Sequence, residues 1–316
     1  MVTTPRLRLV YFGTPDFAVP ALQALIHSRH EVVALVSQPD RPKGRGQRLQ
    51  PTPTKIVAEA GGVPVLQPSR LKDAAFHDAL AAFAPDLGVV AAYGRIIPDA
   101  VLAIPRLGMI NIHASVLPKY RGAAPIHRAV IDGERETGIT IMRVVTALDS
   151  GPVLATVRRP IGPDETTPDV ERELATLGAS LALRAIEQIA SGDSTEVEQD
   201  HARATYAAKI ERHEGTVDWS LPAQRIHNLV RGLQPWPLVA VTVDHMRCRV
   251  HRSALTDETS NARPGTVVAA SNGVFAVATG DRRVLRILEI QPEGKRVMPV
   301  RDFLAGRTIA PGVSLA

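Results

Sequence analysis

Asn111 and His113 stand two residues apart in a short, mostly apolar run, Met109-Ile110-Asn111-Ile112-His113. The run reads as a buried strand, and strand side chains alternate faces, so the amide and the imidazole point the same way. Beyond Ala114 come Ser115, Pro118 and Gly122, which end the strand and open a loop. Polar side chains where a strand meets a loop occupy the place at which open α/β sheets carry their chemistry. A neutral amide N–H can stabilise negative charge growing on an oxygen, and an imidazole can donate to it or move a proton. By spacing alone the bland reading is the stronger one: a hydrogen-bonded Asn and a satisfied surface His. The wider string decides otherwise.

That string is Asn111-Ile112-His113-x-Ser115-x-Leu117-Pro118-x-Tyr120-Arg121-Gly122, then Pro125, Thr137-Gly138-Ile139-Thr140 and Leu148-Asp149-x-Gly151. It resembles the folate-dependent formyltransferases, as does Tyr11-Phe12-Gly13-Thr14-Pro15-Asp16-Phe17-Ala18 near the start. The resemblance implies that an Asn, a His and an Asp, matching Asn111, His113 and Asp149, move a formyl group from 10-formyltetrahydrofolate to an amine. It implies a folate site lined by Ser115, Val116, Leu117 and Pro118, with Val116 standing where the family usually has Leu. Tyr93 and Gly94 are candidates for the wall of the pterin pocket. A carboxylate beside an imidazole favours its charged form and fixes its orientation, which is the role expected of Asp149. Without the resemblance, Asp149 reads equally as a turn residue of Leu148-Asp149-Ser150-Gly151. Gly122 is expected to supply backbone freedom and Arg121 hydrogen bonds to carbonyls or phosphate.

The chain holds one cysteine, Cys248, and ten scattered His, so no disulfide and no metal site are expected; a His113–His127 pair is a remote alternative. No nucleophilic-serine elbow is present. None is needed, because an α-amino group titrates near ~8 and esterifying its carboxyl lowers that further.

These groups need a scaffold. Residues 7–13 read as a strand, 17–27 as a helix and 31–37 as a strand, the opening of a parallel sheet. No Gly-x-Gly-x-x-Gly and no phosphate-cradling Gly-Lys-Ser/Thr loop follows. Residues 55–60, 72–83 and 123–131 read as helices and 63–66 as a strand. Residues 86–93 form a near-continuous apolar strand, buried on both faces, which sets Tyr93-Gly94 beside the Asn111 strand. Strands at 139–145 and 153–159 and a long amphipathic helix at 167–190 complete the expected α/β, Rossmann-like, mostly parallel domain over 1–190. A polar linker is expected over 191–206. Within 207–316, strands at 238–243, 247–253, 266–270, 274–278 and 284–290 suggest a small barrel. The resemblance implies that it is OB-like, the oligonucleotide-binding kind.

Charge points to a partner. The net charge is +5, yet residues 207–316 hold 15 Lys and Arg against 10 Asp and Glu, leaving 22 of each in 1–206. Residues 38–53 carry Pro39, Pro42, Gly44, Gly46, Pro51 and Pro53, which forbid regular structure there. Arg41, Lys43, Arg45 and Arg48 face one acid, Asp40, and suit phosphate contacts with an RNA; a solvated loop is the alternative. The resemblance here is to members acting on tRNA, whose basic Arg-Pro-x-Gly-Arg-Gly insertion engages the acceptor end. It implies formylation of methionine carried by initiator tRNA for translation initiation. Two rivals are a formyltransferase acting on an amino sugar nucleotide and a catalytically silent RNA-binding protein. No apolar run approaches the ~18 residues of a bilayer span and no signal peptide is evident, so a cytoplasmic monomer is expected.

Overall fold

The computed structural model describes residues 5–43 and 48–315. The chain opens with β1 (Arg8–Gly13), α1 (Val19–Ile26) and β2 (Glu31–Val36), the two strands pairing in parallel. A short antiparallel hairpin follows, β3 (Arg41–Lys43) and β4 (Arg48–Gln50), within the stretch expected to lack regular structure. Its prolines do not prevent this, because a two-stranded ribbon leaves outward N–H positions where a missing donor costs nothing. Next come α2 (Pro53–Ala60), β5 (Val65–Leu66), α3 (Ala74–Ala82), β6 (Leu87–Ala91), α4 (Asp99–Leu102) and β7 (Met109–His113). Thr52 caps α2 by accepting the Lys55 N–H, and Pro53 suits the first helical position. Then follow β8 (Arg121–Gly122), α5 (Pro125–Asp132), β9 (Glu136–Arg143), β10 (Val153–Pro160), α6 (Thr167–Ser191) and β11 (Tyr206–Ala207).

Seven of these strands form one sheet in the order β10-β9-β7-β6-β1-β2-β5. β1 pairs with β2 and β6, β2 with β5 and β6 with β7 in parallel, whereas β7 and β9 run antiparallel. All five residues of β6 are buried, as its unbroken apolar sequence requires. Val10, Phe12, Ala34, Val36, Phe76, Leu80 and Met109 belong to one core cluster, in which the Tyr93 ring meets Phe12 edge-on at 5.4 Å.

The chain divides into two compact units. One runs to Pro125 and adds Thr137–Arg159 and Glu171–Ala207; the other comprises Ile126–Glu136, Pro160–Val170 and Ala208–Ala316. The expected partition at 190 and 206 follows chain order, whereas the units interleave along the chain. Residues 191–206, expected as a linker, belong to the first unit. Val197 bridges Val153, and β11 pairs in parallel with β8.

In the second unit, α7 (Ala223–Gly232) precedes β12 (Val239–Val243), β13 (Met246–Thr259), β14 (Val267–Ser271), β15 (Val274–Ala278), β16 (Arg283–Pro292), β17 (Met298–Pro299) and α8 (Val300–Ala305). The strands make an antiparallel sheet in the order β12-β13-β16-β15-β14, with β17 on β16. β13 runs six residues past its expected end at 253. Its far half pairs with the start of β16, where Asp257 meets Arg283 and Glu258 meets Arg286. No helix among the described residues is long and apolar enough to cross a membrane.

His30 is buried in the first unit, its Nδ1 accepting the Leu7 N–H at 3.1 Å and its Nε2 donating to Glu187 at 3.1 Å. Burial, opposed by Glu187, holds its imidazole below the ordinary range, so the folded chain keeps it neutral. An unfolded chain takes the proton more readily. The neutral ring therefore contributes stability above the ordinary value near ~6.5, lost as pH falls through the lower folded value. The denaturation midpoint should be lower at about pH 5.5 than at about pH 7.5, and His30→Gln should remove part of that difference. An unchanged difference in the variant would assign the acid sensitivity elsewhere.

Candidate active site

β7 is locked from both sides. Its Val90 and Met142 neighbours flank Asn111, and Thr140 lies opposite His113. Ile110 and Ile112 are buried on the opposite face, where a Cβ on Gly178 of α6 would lie 2.9 Å from Ile112. Asn111 and His113 thus share the other face, as their spacing predicts. Asn111 is half-buried, and its side-chain amide has no protein hydrogen-bond partner among the described residues.

His113 is 5 % exposed. Its Nε2 lies 2.9 Å from the Tyr120 carbonyl oxygen, which can only accept, so the ring proton sits on Nε2. In the neutral ring Nδ1 is then the free lone pair. It faces Asp149 Oδ2 at 3.7 Å, too far for a hydrogen bond but within ion-pair distance whenever the ring is protonated. The same Oδ2 accepts the Gly122 N–H at 2.8 Å. Ring orientation therefore comes from Tyr120, and Asp149 contributes charge.

The segment between them is held by its own polar groups. Ser115 Oγ donates to the Lys119 carbonyl at 2.6 Å, and Thr140 Oγ1 donates to the Ser115 carbonyl at 2.8 Å. Thr140 Oγ1 also accepts the Leu117 N–H at 3.2 Å. Ser115 and Leu117 are buried, whereas Val116 and Pro118 are half-buried. Tyr93 is buried in the core, and its carbonyl accepts from Gln38 Nε2 at 2.8 Å. Gly94 turns the chain at φ +81, where an added Cβ would sit 2.7 Å from the same nitrogen.

Of the basic residues expected to meet RNA, Arg41 is exposed, and its Nη2 donates to Gln38 Oε1 at 3.1 Å. Lys43 and Arg48 are backbone register partners in the hairpin, and Arg45 lies outside the described residues. No group of three His, Cys, Asp or Glu able to hold a metal ion occurs among the described residues.

Sequence reasoning missed the Tyr120 carbonyl, because a backbone acceptor leaves no mark in residue type. It missed Gln199 as well, buried in the segment expected as a linker. The buried Arg121 guanidinium donates to the side chains of Gln199 and His201 rather than to backbone carbonyls.

Residues 7–186 match the family described as Formyl transferase, and residues 209–308 that described as Formyl transferase, C-terminal domain. The methionyl-tRNA formyltransferase of Moorella thermoacetica is 44% identical over 306 residues, 97% of this chain and 98% of that protein. That of Methylococcus capsulatus is 44% identical, over 96% of this chain and 98% of its own. Among solved structures, HypX from Aquifex aeolicus in complex with tetrahydrofolic acid has a TM-score of 0.65 at 18% identity, over 95% of this chain and 47% of that one. The N-formyltransferase from Helicobacter canadensis in complex with folinic acid and dTDP-3-aminofucose reaches 0.69 at 17% identity, over 90% and 99%. At such identities these two show the fold alone.

Gly122 has φ +117, and a Cβ there would meet the Ala207 carbonyl oxygen at 2.8 Å. Gly122→Ala should lower stability by about 1–3 kcal/mol, read from denaturant midpoints. A neutral effect would show that β8 and β11 separate freely.

Proposed function

The chain belongs to the formyl transferase family, and from that premise we propose that it moves the formyl group of 10-formyltetrahydrofolate onto the α-amino group of methionine esterified to initiator tRNA. The donor is of the folate type. The observation that carries the reading is the shared face of β7, where an unpartnered Asn111 amide stands beside the His113–Asp149 pair. Relatives 41–45% identical over nearly the whole chain, named methionyl-tRNA formyltransferase, support the acceptor. The compartment proposed is the cytoplasm, where such a tRNA is charged, and the acting species a monomer.

In the reaction the amine nitrogen bonds to the formyl carbon, the bond from that carbon to the folate nitrogen breaks, and one proton passes from amine to folate nitrogen. Asn111 donates its N–H to the formyl oxygen as negative charge builds there, with no change of state over the working pH range. His113 Nδ1 accepts the amine proton and returns it to the leaving nitrogen. Asp149, 3.7 Å from Nδ1, stabilises the ring while it is charged. Asn111→Ala, His113→Ala and Asp149→Ala are each expected to lower turnover about 100- to 1000-fold while leaving the circular dichroism unchanged. Near wild-type turnover in His113→Ala would remove the proton-transfer role.

Recognition of tRNA is assigned to Arg41, Lys43, Arg45 and Arg48 and to the basic residues of the second unit. Several cations there are already neutralised: Arg283 and Arg286 face Asp257 and Glu258. Arg247, Arg252, Lys295 and Arg296 are exposed with no acidic partner among the described residues, and these can meet phosphate. Guanidinium pairs phosphate oxygens bidentately, so Arg41 and Arg45 are the foremost contacts in the hairpin stretch. Replacing the four residues between 41 and 48 with Ala should lower kcat/KM for methionyl-tRNA at least about tenfold and leave the folate KM unchanged. The salt dependence of tRNA binding should flatten by somewhat under one log–log unit per lost contact. Full activity with an unchanged salt slope would shift the acceptor toward an amino sugar, which a panel of methionyl-tRNA, free methionine and sugar amines would reveal.

A further inference from the structure

Gln199 is buried, and its side-chain amide uses its whole hydrogen-bonding capacity. Nε2 donates to the carbonyl oxygens of Asp149 at 3.0 Å and Gly151 at 2.7 Å. Oε1 accepts from Arg121 Nε at 3.2 Å and Nη2 at 2.6 Å. The partners fix which end is which, since carbonyls cannot donate and a guanidinium cannot accept. Glu at this position would set a carboxylate oxygen against two carbonyls, and Lys or Arg would offer nothing to Arg121. The demand is for two donors and an acceptor on one short planar group, which is glutamine chemistry.

What the amide holds is unusual on both sides. Asp149 has φ +45, a left-handed backbone that costs a non-glycine residue on the order of 1–2 kcal/mol. From that conformation its carboxylate reaches the Gly122 N–H and faces His113 Nδ1. Arg121 is the first residue of β8, and Tyr120 just before it supplies the carbonyl that binds His113 Nε2. The same downstream stretch ties that loop again. Thr205 accepts the Tyr120 N–H through its hydroxyl at 2.9 Å and the Arg121 N–H through its carbonyl at 2.9 Å. His201 Nδ1 accepts from Arg121 Nη2 at 2.9 Å.

We propose that Gln199 is a positioning residue for the reaction, joining the loop that carries Asp149 to the loop that carries Tyr120, Arg121 and Gly122, and so setting the groups on both nitrogens of His113. It touches no reacting atom and acts through Asp149 and Arg121. The assignment rests on the formyl-transfer reading for its rate effect, but its effect on the His113 ring does not.

Two variants separate the contacts. Gln199→Glu keeps the acceptor facing Arg121 and loses both donors to the Asp149 loop, and Gln199→Met removes all four bonds at similar volume. Both are expected to lower kcat on methionyl-tRNA about 10- to 100-fold, the cost of a catalytic group displaced by roughly an ångström, with the folate KM changed by less than about twofold. In an Asp149→Asn background, adding Gln199→Glu should cost far less than it does alone, because the group it positions is already neutral. Independently of any acceptor, nitrogen NMR of the His113 ring should show a fixed Nε2–H in the wild type and averaging of the two tautomers in Gln199→Met. Unchanged kcat, multiplicative losses in the double variant, or an unaltered His113 ring would each overturn the proposal. If the wild type formylates no methionyl-tRNA, the acceptor assignment falls, while the ring spectrum still decides the role of Gln199.

Discussion

One hydrogen bond fixes the state of the imidazole at the candidate site: His113 Nε2 to the Tyr120 carbonyl. It commits one ring nitrogen as a permanent donor and leaves Nδ1 as the only nitrogen able to exchange a proton. Had the carbonyl faced Nδ1 instead, Asp149 would lie against a nitrogen already holding its proton. The direction of this bond depends on where Tyr120 lies, and Tyr120 depends on β8, which exists only because β11 pairs with it. The proposed chemistry therefore hangs on a two-residue strand pair far simpler than the sheet that carries Asn111 and His113.

The two kinds of support divide the work. The seven-stranded sheet places Asn111 and His113 by register, and register is insensitive to a lost side-chain bond because every strand pair repeats it. The loops place Asp149, Tyr120 and Gly122 by individual polar contacts, and each of those is a single point of failure. Apolar packing positions the Asn111 amide, and hydrogen bonding orients the ring beside it.

Legibility in the sequence follows the same division. The strands were readable where burial imposes a pattern: β1, β2, β6 and β7 fall within a residue or two of their expected places, and α6 begins where its periodicity begins. Asn111 and His113 were readable because period two puts them on one face. Three features were not. The hairpin at Arg41–Lys43 and Arg48–Gln50 is masked by prolines and glycines that a two-stranded ribbon tolerates. The tail of β13 is polar, since its Asp257 and Glu258 pair with arginines rather than enter a core. Residues 191–206 have a linker's composition because their bonds to the first unit are polar, made by the Gln199, His201 and Thr205 side chains and the Val197 backbone, and such bonds leave no apolar periodicity to read.

The pairing of β8 with β11 also sets a timetable for synthesis. Tyr120 and Thr205 are 85 residues apart in the chain, so the loop around Tyr120 leaves the ribosome without the neighbour that shapes it. At roughly 5–20 residues per second the gap lasts on the order of 4–17 s, longer than a sheet strand needs to find its partner. During that interval β1, β2, β5, β6 and β7 can assemble and present Asn111 and His113, while the ring still lacks its fixed proton. The nascent chain thus carries a folded scaffold before it carries the complete candidate site.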